Sequence, residues 1–122
     1  MAQREELIKN ANLMVTKGKG ILAADESTPT CTKRFTSIGV DSTEAKRNEY
    51  RDMLLTTPNM ENYISGVICY DETLRQSTVC DEKIPFPEHL KSKGVVPGIK
   101  VDKGAKNLAG FNGEKVTEGL DG

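Results

Sequence analysis

Two residues offer the clearest prospect of chemistry. Asp25 closes the short apolar run 21–24, and Lys100 follows the run that ends at Ile99. An apolar run of four residues is too short for a helix but suits a strand buried on both faces. Each charged residue therefore stands at the C-terminal end of a predicted strand. In a parallel sheet those ends converge on one rim, where α/β active sites gather. A carboxylate and an ammonium meeting there can move a proton, or hold a hydroxyl while a neighbouring bond changes. The same residues could instead form a structural salt bridge or cap a helix.

The segment 27–34 has the makings of an anion site: hydroxyls, the free N–H groups of a helix start, and the cations Lys33 and Arg34. Ser27, Thr28 and Thr30 serve equally well as ordinary helix caps, with Pro29 tolerated in the first turn. Lys91, Lys93, Lys103 and Lys106 make the surroundings of Lys100 basic and read first as a solvated face. His89, the only histidine, reads as a surface residue beside Glu88. Cys31, Cys69 and Cys80 lack metal or redox spacing and read as free thiols of a reducing cytosol.

The elements that must place these groups follow from periodicity. Residues 4–16 have Leu7, Ile8, Ala11, Met14 and Val15 at helical spacing, and Gly18 stops them. After the first strand, 30–38 reads as a short helix. A longer one starts at Ser42 or Thr43 and runs to about Thr56, with Lys46, Arg47 and Arg51 on its solvated face. A second strand spans 63–70, and a helical turn follows. A helix from Phe86 is ended by Gly94. Residues 95–101 read as the third strand, and because Pro97 suits a strand's start the ordered part is expected to run 98–102. Residues 104–122 show no readable period. The order is that of a parallel α/β sheet.

Composition excludes several classes of function. The chain has 122 residues, a formal net charge of −1, 36% hydrophobic and 29% charged residues. Neither a basic nucleic-acid tail nor a membrane-spanning run is present. No apolar core follows the first residues, so they do not read as a signal peptide.

Three blocks carry a family resemblance: Gly-Lys-Gly-Ile-Leu-Ala-Ala-Asp-Glu-Ser at 18–27, Ser-Gly-Val-Ile-Cys-Tyr-Asp-Glu-Thr-Leu at 65–74, and Lys-Ser-Lys-Gly-Val-Val-Pro-Gly-Ile-Lys-Val-Asp-Lys-Gly at 91–104. With Leu-Ala-Gly-Phe-Asn-Gly behind the third, the chain resembles class I (Schiff-base) fructose-bisphosphate aldolase over residues 6–122, in order and in register. The resemblance implies a TIM (β/α)8 barrel, which needs roughly 200–250 residues. Residues 1–122 are thus expected to hold a leading helix and about three βα units, ending before a fourth strand.

The resemblance further implies reversible cleavage of fructose 1,6-bisphosphate to dihydroxyacetone phosphate and glyceraldehyde 3-phosphate. The reaction would pass through a lysine Schiff base, with no cofactor and no metal, in a cytoplasmic homotetramer. Asp25 and Lys100 take the catalytic places near the substrate's C3 and C4 hydroxyls, and Ser27 and Arg34 become substrate or phosphate contacts. Where many relatives carry Gly-Ser, this chain has Pro29 and Thr30, which removes one N–H donor. No lysine here matches the Schiff-base motif. A sugar phosphate is the implied partner, not nucleic acid or membrane. The alternative expectation is a truncated, non-catalytic relative that acts as an interaction module or does not fold alone.

Overall fold

The alternation of strand and helix signals is realised in order. The elements are α1 (Ala2–Met14), β1 (Gly20–Ala24), α2 (Thr28–Thr36), α3 (Glu44–Leu55), β2 (Ile64–Cys69), α4 (Asp71–Leu74), α5 (Phe86–Ser92) and β3 (Val96–Ile99). This computed structural model describes residues 2–121; Met1 and Gly122, the ends of the expected domain, lie outside the described residues.

The strands form one parallel sheet in the order β1-β2-β3. The register pairs Ala24 with Cys69 and Cys69 with Ile99, so all three strands end on one level. Helices α3 and α5, which connect consecutive strands, pack on one face of the sheet, the arrangement that right-handed crossovers between parallel strands produce. The core forms there: Ala24, Val67 and Cys69 pack with Leu55 of α3, Phe86 and Leu90 of α5, and Val95, with Leu22 against them. One covered face and one bare face is how a section of a (β/α)8 barrel is built.

That one-sidedness corrects the expectation that the first strand is buried on both faces. Leu22 and Ala24 turn inward, whereas Ile21 (48% exposed) and Ala23 lie on the bare side. The third strand also starts earlier than expected, at Val96 rather than 98. The Lys100 N–H donates to the Cys69 carbonyl at 2.8 Å. Alternation then turns the nitrogen of Pro97 toward the outer edge, where no ladder bond is lost. At α1, Leu7 and Ile8 face solvent, and its C-terminal end meets the sheet through a Ser65 Oγ bond to the Met14 carbonyl at 2.7 Å.

A second correction concerns α3. Thr43 caps it by accepting from the Lys46 N–H, and Lys46 stays at the surface beside Glu49. Arg47 and Arg51, expected on the solvated face, are buried at 9% and 2% exposure. Arg47 grips the Glu72 carboxylate bidentately at 2.9 and 2.7 Å, and Arg51 bonds the same carboxylate and Gln76 Oε1. These hydrogen bonds, Arg47's first, hold the Glu72 carboxyl well below its ordinary range, at about 2.

The segment without a readable period contains a hairpin, β4 (Ala105–Asn107) against β5 (Lys115–Thr117), antiparallel. Both strands are exposed throughout, so no apolar alternation marks them. Backbone bonds hold the hairpin's base: Lys103 N–H to the Glu118 carbonyl at 2.8 Å, and Glu118 N–H to the Gly104 carbonyl at 2.9 Å. Gly119 follows at φ +91°, where an added Cβ would stand 2.8 Å from the Lys103 backbone nitrogen. Gly119→Ala is therefore expected to cost about 1–3 kcal/mol locally. Hydrogen exchange at the Lys103 and Glu118 amides reads this; unchanged protection would contradict it.

Candidate active site

Asp25, Tyr70 and Lys100 are the residues immediately after β1, β2 and β3. Because those strands end in register, the three residues occupy one rung at the sheet's C-terminal rim. Asp25 and Lys100 are separated by two inter-strand steps, roughly 9.5 Å of backbone. The long lysine side chain crosses this gap and brings its Nζ to 3.6 Å from Asp25 Oδ2. Both side chains are about three-tenths exposed, at 29% and 27%. The pair inferred from strand-end positions is therefore in place: a partly desolvated carboxylate and ammonium facing each other.

A closer contact lies beside it. Asp102 Oδ2 accepts from Lys100 Nζ at 2.5 Å, and its Oδ1 accepts from the Gly104 N–H at 2.9 Å. The hydrogen bond to Asp102, with smaller help from Asp25, raises the Lys100 pKa; the same contact lowers that of Asp102. A lysine between two carboxylates stays protonated.

Ser27, Tyr70, Lys100, Asp102, Lys103 and Gly104 line a cleft of about 340 Å³ at this rim. Sequence reasoning found Ser27 and Lys100 and missed the others as site residues. The Asp-Lys-Gly turn at 102–104 was a usable signal for Asp102, since aspartate commonly bonds the backbone two residues on. Ser27 is the cap residue of α2, with Pro29 in the first turn as expected, but its Oγ bonds Thr30 Oγ1 at 3.1 Å rather than a backbone N–H. Arg34 does not line the cleft. Its Nη1 donates to Glu26 Oε1 at 2.5 Å and to the Tyr50 hydroxyl at 3.2 Å.

Other candidates offer less. A larger cavity of about 540 Å³ runs along α1, lined by Glu5, Ile8, Lys9, Asn12 and Leu13, without a carboxylate–ammonium pair at a strand end. His89 lies on α5, outside the cleft. Among the described residues no group of three His, Cys, Asp or Glu side chains could hold a metal ion. Cys31, Cys69 and Cys80 are unpaired, and burial pushes the Cys69 thiol up to about 11.

Comparison with known proteins converges on one group. A family model described as fructose-bisphosphate aldolase class-I matches residues 6–122. A probable fructose-bisphosphate aldolase class 1 of Xanthomonas axonopodis pv. citri (strain 306) is 55% identical over 97% of this chain and 35% of its own length. The cytoplasmic isozyme of fructose-bisphosphate aldolase from Spinacia oleracea is 56% identical over 97% of the chain and 32% of itself. Among solved structures, fructose-bisphosphate aldolase from Plasmodium falciparum, in complex with TRAP and a small-molecule inhibitor, superposes with a TM-score of 0.84 at 45% identity, covering 96% of this chain and 33% of that one. The chain spans about a third of the length of the curated relatives it matches.

Proposed function

The chain belongs to the class-I fructose-bisphosphate aldolases, and on that premise we propose that its protein reversibly cleaves fructose 1,6-bisphosphate through a lysine Schiff base. The observation that carries this reading is the 3.6 Å approach of Lys100 to Asp25 at the strand-end rim.

In the cleavage direction the C3–C4 bond breaks and its electron pair passes to C3, drawn toward the iminium carbon. The C4 hydroxyl becomes the carbonyl of the released aldehyde and gives up its proton. Asp25 receives or orients that proton. Lys100 offsets negative charge growing on the oxygen. Ser27, on the cleft wall, and Arg34 are assigned to phosphate contacts. The Glu26 contact fixes the Arg34 guanidinium in place, while Pro29 at the start of α2 leaves one N–H fewer for an anion. The nucleophilic lysine is assigned to a part of the protein beyond these residues, because none of the lysines here matches its motif.

Residues 1–122 are read as the first part of the barrel, and a homotetramer as the assembly. Relatives named as cytoplasmic isozymes support a cytoplasmic location, although another is named chloroplastic. Borohydride reduction in the presence of dihydroxyacetone phosphate tests the chemistry. The complete protein is expected to take one covalent label on a lysine outside these 122 residues. No trapping overturns the reading and leaves a relative that does not catalyse.

A further inference from the structure

We propose that Asp102 is a positioning residue that clamps Lys100 and sets how far its ammonium stands from Asp25. The inference rests on the cleavage reading above and adds a residue to it. Three observations carry it. The Lys100 ammonium lies 2.5 Å from Asp102 and 3.6 Å from Asp25, so of these two carboxylates Asp102 holds it the more closely. Asp102 is itself fixed, because its second oxygen accepts from the Gly104 N–H at 2.9 Å. Gly104 is fixed in turn by the hairpin, whose Glu118 N–H bonds the Gly104 carbonyl at 2.9 Å.

The chain of contacts therefore runs from hairpin to turn to carboxylate to ammonium. A free lysine side chain has several rotatable bonds and would collapse onto Asp25, turning a working pair into a closed salt bridge. With Asp102 taking one N–H of the three, Lys100 keeps others directed at Asp25 and at a substrate oxygen entering the cleft. The charged and titratable groups around it are Asp25 from the end of β1, Asp102 from its own loop, and Tyr70 and Lys103 on the cleft wall.

Asp102→Asn in the complete protein isolates the charge, because the amide oxygen can still close the turn onto Gly104. It is expected to lower kcat for fructose 1,6-bisphosphate cleavage roughly ten- to a hundredfold, with KM changed by less than about threefold. The alkaline limb of the kcat profile should move to lower pH, since Asp102 is the largest cause raising the Lys100 pKa. A variant with unchanged kcat and an unmoved limb overturns the clamp. So does an Asp102→Ala variant that loses activity while Asp102→Asn keeps it, because the turn and not the charge would then matter; where the alanine variant fails to fold, the asparagine variant decides. Asp25→Asn and Lys100→Met are run alongside. If they lose activity and Asp102→Asn does not, only the clamp falls. If all three stay active, the cleavage reading falls first.

Discussion

Asp25→Asn in the complete protein is expected to lower kcat by about 10²–10⁴-fold, the range associated with removing a positioned proton acceptor. Asparagine keeps the shape and a hydrogen-bonding oxygen but cannot take the C4 hydroxyl proton in the proposed cleavage. Lys100→Met, which keeps the length and deletes the charge, should cost a comparable factor. On the proposed cleavage both act on one proton transfer across a single 3.6 Å contact, so the two losses should not multiply. Steady-state kinetics on the single and double variants decide this. A double variant whose loss equals the product of the singles would mean that the residues work independently and that their meeting at the rim is incidental.

Glu72→Ala is expected to give the largest loss of stability, about 3 kcal/mol. Removing one partner from a buried ion pair costs about 3–5 kcal/mol, because a charge is left behind without compensation. The lower end applies because the Glu72 side chain is 22% exposed. Here two guanidiniums lose their shared carboxylate, and Arg51 already has Nη2 buried with no hydrogen-bond partner among the described residues. Arg51→Met should cost less than Glu72→Ala, since the bidentate Arg47–Glu72 pair survives it. The wild-type contribution also depends on pH. The folded-state value of about 2 lies below the ordinary 4.5, so the stabilisation is present above about 4.5 and is lost as pH falls toward 2. Denaturant midpoints at neutral pH and near pH 3 test both statements. Equal midpoints for Glu72→Ala and wild type at neutral pH would contradict the role assigned to this network.

The sheet and its rim were legible in the sequence because short apolar runs ending in a charged residue have few other uses. Asp25 and Lys100 could be paired from the sequence alone, since parallel strands leave little choice of where their ends meet. Arg47 and Arg51 were misread for a physical reason. Charged residues four apart on a helix look solvated until their partner is known, and Glu72 lies 25 and 21 residues further along. The hairpin escaped notice because strands of three residues with both faces exposed leave no apolar pattern. Arg34 carries the expected charge near the expected turn, but the competing pull of Glu26 and the Tyr50 hydroxyl is not a property of the local sequence.

Registration of Ala24, Cys69 and Ile99 across the sheet has a consequence for how such a site changes over generations. The backbone spacing between Asp25 and Lys100 is a multiple of the peptide ladder's own repeat, so mutations within the strands can exchange side chains without altering it. The hairpin that steadies Asp102 has no comparable guarantee, resting on short exposed segments where drift is cheap. Sequence variation among descendants of this chain should therefore tune how the lysine side chain is held while leaving the backbone separation of Asp25 and Lys100 untouched.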